Sequence, residues 1–181
     1  MSKKILILIG FLTALLSCTK EGAGIKYSAQ EELIDKFVST QMATDSTFRA
    51  EYNGGAVRLV VAEGKGEALQ ASGLASIYYA GYDFSQGQIS NGTLFATNLK
   101  DIATSAGWDN VRGLTFDPFV ISMGSDEYLD GLRKGLEGVK PGEECYILFS
   151  GKYGYGKLSV GTINAKAALA YHIWVDKVEN N

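Results

Sequence analysis

Two stretches of strict alternation constrain this chain more than anything else in it. In Glu144 to Ser150, residues Cys145, Ile147 and Phe149 fall on one side; in Ala167 to Val178, Leu169, Tyr171, Ile173 and Val175 do the same. A period of two marks a half-buried strand, so both runs predict strands that give one apolar face to a core. His172 and Trp174 then point the other way. Val57 to Ala62, Leu74 to Tyr82 and Phe119 to Met123 read as further strands. Turns are expected at Glu63-Gly64-Lys65-Gly66, across Gly87 to Gly92, and at Val139-Lys140-Pro141-Gly142. With 22 glycines, 10 tyrosines and only 2 prolines among 181 residues, the composition suits a twisted, turn-rich sheet. The apolar share of 46% excludes a fully disordered chain.

Two helices are expected. Ser28 to Gln41 places Leu33, Ile34, Phe37, Val38 and Gln41 along one stripe, and Ser28 with Glu31 has the spacing of a capping box. This helix either packs on its own domain or serves as a dimerisation arm. Ser125 to Leu136 puts Tyr128, Leu129, Leu132 and Leu136 on one face, with Ser125 as cap and Asp126 and Glu127 at the positive end of the dipole. The expected fold is α+β: an antiparallel sheet with one short helix lying across a face.

The first residues read as an address. Lys3 and Lys4 precede an apolar run, Ile5 to Leu16, that is shorter than the roughly 20 residues of a membrane span. Leu15-Leu16-Ser17-Cys18 resembles a bacterial lipobox, which implies a signal peptide over 1–17 and an acylated Cys18. The alternatives are an ordinary signal peptide and an uncleaved anchor. Residues 18–56 then hold a tether, 19–24, and the first helix; residues 57–181 form the main domain. The lipobox reading implies a lipid-anchored protein of the cell envelope, at the periplasmic side of an outer membrane, with the bilayer as a partner. The formal charge of −3 argues against nucleic acid as a partner. One histidine and two cysteines leave little for a zinc site or a disulfide scaffold. Cys145, alternating with Ile147 and Phe149, reads as buried and inert.

From Val57 to Val178 the motifs, in order, resemble the FKBP-type peptidyl-prolyl isomerases. They are Glu63-Gly64-Lys65-Gly66, Ile77-Tyr78-Tyr79-Ala80-Gly81, Gly92 to Thr97, Pro118-Phe119-Val120-Ile121 through Gly124, Tyr128-Leu129-Asp130-Gly131-Leu132, Gly138 to Glu143, and Tyr153-Gly154-Tyr155-Gly156. The resemblance implies a curved antiparallel sheet wrapped around one short helix. It also implies prolyl isomerisation of proline-containing polypeptides without a cofactor or metal. Tyr79, Phe95, Phe119, Tyr128, Leu129, Leu132, Tyr155, Ile163 and Tyr171 would surround the pocket. The Leu129 N–H and the Tyr155 hydroxyl would donate to ligand carbonyls, and Leu132 would form the floor. Read from the residues alone, the same set is equally a packed core.

The departures from the family pattern are specific. Its aspartate after phenylalanine is Ala96, its floor tryptophan is Leu132, and its I-P-P is Ile163-Asn164-Ala165. An insert of about residues 98–117 carries Trp108 and falls beside the implied pocket mouth, as a lid, a partner-binding loop or a plug. Two functions compete: an anchored isomerase that helps envelope proteins fold, and a non-catalytic peptide-binding or chaperone lipoprotein.

Overall fold

The computed structural model describes residues 18–108 and 113–180. The expected signal segment, 1–17, and the middle of the insert lie outside the described residues. Helix α1 (Cys18–Thr44) leads into a sheet of seven antiparallel strands: β1 (Arg49–Asn53), β2 (Ala56–Ala62), β3 (Leu74–Asp83), β4 (Leu94–Thr97), β5 (Phe119–Ser122), β6 (Glu144–Phe149) and β7 (Leu169–Glu179). Their order is β1-β2-β6-β7-β3-β4, and β5 also pairs with β3. Helix α2 (Lys100–Ser105) sits in the insert, and α3 (Asp130–Leu136) lies between β5 and β6. The α+β architecture expected from the sequence is the one observed.

The alternation places the two faces as read. Cys145, Ile147, Phe149, Leu169, Tyr171, Ile173 and Val175 are all buried in one cluster with Leu132 and Leu136 of α3. Burial pushes the Cys145 thiol well above its ordinary pKa, as expected for an inert core cysteine. On the opposite face α1 lays Ile34 and Val38, both 2% exposed, over Leu59, Leu148, Ala168 and Ala170. Phe37 meets Phe84 edge-on at 5.4 Å. The helix thus packs on its own domain. His172 stands on this same outer face, stacked on Tyr146 at 4.0 Å and 2.8 Å from a Glu144 carboxylate oxygen.

Three local readings are corrected. The first helix runs from Cys18, through the stretch 19–24 expected as a tether, and Ser28 is interior to it rather than its cap. An apolar stripe is the signal by which a helix is read, and Thr19, Lys20, Glu21 and Gly22 carry none in the sequence. The later helix begins at Asp130, not Ser125. There Ser125 Oγ accepts from the Glu127 N–H at 3.2 Å, a local turn that competes with helix. Strand β1, with its Arg49, Glu51 and Asn53, lacks the apolar alternation that would have announced it. It is an edge strand, where charge is an asset.

Glycines at 131 and 135 let α3 lie directly against β6. A Cβ at Gly131 would overlap the Phe149 ring, and one at Gly135 would overlap Ile147 Cγ2. Helix propensity alone favours Gly→Ala by about 1 kcal/mol, but forcing a methyl into a packed contact costs about 1–3 kcal/mol. Sterics win: Gly135→Ala should lower the midpoint of thermal unfolding by several degrees. A raised midpoint would show that α3 can lift off the sheet.

Candidate active site

Strand β3 is paired along one edge by two strands set end to end. Its first half, Leu74 to Ile77, pairs with β5, and Ala80 to Tyr82 pair with β4. Asn98 fills the gap. Its Nδ2 donates to the Ile77 carbonyl at 3.1 Å and its Oδ1 accepts from the Tyr79 N–H at 2.6 Å. A side-chain amide thereby takes the place of a partner strand's peptide group. Nδ2 also donates to the Asp117 carbonyl at 2.9 Å, so one buried residue ties both ends of the insert to β3.

The Tyr155 loop is held at its stems by α1. Gln30, only 4% exposed, donates from Nε2 to the Lys166 carbonyl at 2.7 Å and accepts at Oε1 from the Gly151 N–H at 2.9 Å. Gly131 N–H donates to the Tyr153 carbonyl at 2.9 Å, which links this loop to the start of α3.

Between α3, β3, β5 and the Tyr155 loop lies a hollow of about 230 Å³. Tyr79, Phe119, Tyr128, Leu129, Leu132, Tyr155 and Tyr171 line it, as the resemblance implied, together with Ile77, Ala96, Ile121 and Glu127. The rings brace one another: Tyr79 on Phe119 at 5.9 Å, Phe119 on Tyr128 at 6.0 Å, Phe149 stacked on Tyr171 at 6.0 Å. Two expected members stand elsewhere. Phe95 packs edge-on against the far side of Tyr171 at 5.7 Å and lines an adjoining cleft. Its ring lies so close to β3 that a Cβ at Gly81 would come within 2.7 Å of it. Ile163 is buried in the main core, bridged to Val160, rather than in the wall of the hollow. Gln30 belongs to no motif, and Asn98 enters the sequence reading only as the start of the insert. Nothing in a lone Asn or Gln reveals that a fold will bury it as a clasp.

The hollow's polar groups are few. Leu129 has φ −57° and ψ 134°, and its carbonyl accepts the Arg133 N–H at 3.0 Å. Its own N–H meets no acceptor among the described residues. Burial first, then Tyr155 and Tyr79, hold the Tyr171 phenol far above its ordinary pKa, and a hydrogen bond with Tyr155 adds to this. Burial likewise raises Tyr79.

The site is thus a largely apolar hollow between an antiparallel sheet and one short helix. The family model for FKBP-type peptidyl-prolyl cis-trans isomerases matches residues 82–176, just over half of the chain. The chain belongs to that family. Among solved structures it is similar to FkpA from Escherichia coli, at 19% identity and a TM-score of 0.55, covering 99% of this chain and 73% of that one. It is also similar to a peptidyl-prolyl cis-trans isomerase from Pseudomonas syringae, at 15% identity and a TM-score of 0.57, covering 87% and 96%. For the three FKBP domains of wheat FKBP73 the values are 14% and 0.58, covering 74% of this chain and 52% of that one. These identities establish a shared fold. No curated protein matches the chain.

Proposed function

We propose that this chain is a peptidyl-prolyl cis-trans isomerase that assists the folding of cell-envelope proteins while held to a membrane by acyl groups on Cys18. The observation that carries the catalytic part is the hollow itself, apolar on its walls and provided with the Leu129 N–H and the Tyr155 hydroxyl. Rotation about a prolyl amide passes through a twisted state that has lost resonance and is less polar than the planar amide. An apolar wall desolvates that twisted amide at less cost than the planar one, so it binds the transition state preferentially. The two donors hold the flanking carbonyls so that rotation is confined to one bond.

Burial moves the Tyr79 and Tyr171 phenols of the hollow upward, away from neutrality. His172 lies on the other face of β7 from Tyr171. The ratio kcat/KM should therefore be flat from about pH 6 to 8; a bell centred near 7 would count against this site. Tyr155→Phe removes one hydrogen bond of about 0.5–1.5 kcal/mol, so kcat/KM should fall up to roughly tenfold. A larger loss would mean the hydroxyl does more than hold a carbonyl.

A second reading is a non-catalytic peptide-binding or chaperone module, favoured by Ala96 and Leu132 in place of the family's aspartate and tryptophan. A protease-coupled prolyl assay on soluble residues 19–181 separates the two. Acceleration supports the isomerase; peptide binding without acceleration supports the binding module. For the anchor, Cys18→Ala should release the protein from membranes or stop its maturation. Unchanged fractionation and processing would end the lipoprotein reading.

A further inference from the structure

We propose that the cleft beside the hollow is a second subsite, one that takes an aromatic or large aliphatic side chain of the same polypeptide, within about three residues of the proline. The inference rests on the peptide-binding reading of the hollow. The cleft measures about 450 Å³, roughly twice the hollow's volume. The two adjoin, since Tyr79, Ala96 and Phe119 line both. An extended chain advances about 3.3 Å per residue, so a side chain near the proline reaches across this shared wall.

The chemistry of the cleft selects its occupant. Its apolar walls are Phe95, Trp108, Leu114 and Pro118. Its inner polar groups are already taken. Asn98 spends both amide hydrogens and its oxygen on β3 and Asp117. The Thr97 hydroxyl donates to the Tyr79 carbonyl at 2.7 Å and accepts the Leu99 N–H at 3.0 Å. A polar side chain entering here would lose water and gain little in return, whereas an apolar one gains by leaving water. Asp117, exposed at the rim, and the chain's net charge of −3 disfavour an acidic residue. Trp108 packs one side against the small cluster of Ala80, Tyr82 and Leu94. It remains half-buried, and it also faces the cleft. Packing accounts for the first contact and leaves the second open to a ligand.

The test uses the full-length chain in detergent and peptides with one X-Pro bond. Alanine flanks are replaced, one position at a time, by Phe, Leu or Glu within three residues of the proline. At one position kcat/KM should favour Phe or Leu over Glu by about tenfold, the discrimination an apolar pocket supplies. Trp108→Ala, and separately Leu114→Ala, should bring that ratio close to one. In a Trp174→Phe background Trp108 is the one remaining tryptophan of the chain, and its emission should shift to the blue with the Phe peptide and stay put with the Glu peptide. Isomerisation with no preference at any position, or a preference that survives both substitutions, overturns the subsite and leaves the isomerase standing. Selective binding with a Trp108 shift but no isomerisation supports the subsite and removes the enzyme. Absence of both binding and isomerisation overturns the two together.

Discussion

Replacing Arg58 with alanine is expected to destabilise the fold by about 3–5 kcal/mol, the usual cost of leaving one member of a buried ion pair without its partner. Arg58 is 4% exposed and Glu143 is 2% exposed, and Arg58 Nε lies 3.4 Å from Glu143 Oε1. The guanidinium also pairs with Glu51 and donates from Nη1 to the carbonyls of Gly135 at 3.2 Å and Glu137 at 2.7 Å. It therefore holds the C-terminal end of α3, where a cation opposes the negative end of the helix dipole. Burial raises the Glu143 pKa despite the pull of Arg58. An acid raised on folding binds more protons in the native state, so its penalty is absent below the unfolded value and complete above the folded one. Removing Arg58 raises Glu143 further. The destabilisation should then shrink as pH falls from neutrality toward the ordinary carboxylate value. Denaturant unfolding at several pH values measures both effects, and Glu143→Gln added to Arg58→Ala should recover part of the loss. A single-variant cost below about 1 kcal/mol would show that the pair is not sealed from water.

Leu129→Asp is expected to abolish prolyl turnover, or peptide binding if the chain does not catalyse, by at least about a hundredfold. It puts a carboxylate in place of an apolar wall side chain, so that, even while it caps α3, its charge must lose water for an apolar proline ring to bind against it. The fold should survive. Residue 129 is the N-cap of α3 and carries no side-chain cap bond, and aspartate is among the best residues there. Unfolding measurements should find stability held or slightly raised, so lost activity reports on the site alone. Full activity in this variant would place the proline elsewhere.

What could be read in advance divides along physical lines. Strands β6 and β7 were legible because each buries one face, and burial writes a period of two into Cys145-Ile147-Phe149 and Leu169-Tyr171-Ile173-Val175. Strand β1 was not, because an exposed edge obeys no such pattern. The start of α3 was misread since Ser125 serves a turn as readily as a helix. Seven expected wall residues meet around the hollow because they project from β3, β5, β7, the start of α3 with the two residues before it, and the Tyr155 loop toward one space. Ile163 was assigned to the wall by motif order alone, and motif order does not say on which side of a loop a side chain falls. The cleft was beyond reach. It depends on where the insert lies against β4, and on Asn98 being drawn into β3, neither of which has a signature in sequence.

The divided edge of β3 has a consequence for how such a domain can diversify. Because β4 and β5 each keep their own register on β3, and the Asn98 amide closes the seam between them, the chain can leave the sheet after Thr97 and return before Phe119 without shifting any ladder. A loop of another length or chemistry could be exchanged at that seam while Tyr79, Leu129 and Tyr155 stay in place. Since entropy rises only slowly with loop length, the cost of such an exchange is small. The seam is thus a natural grafting point, where a new loop can be acquired or swapped between homologous scaffolds and the hollow is inherited unchanged.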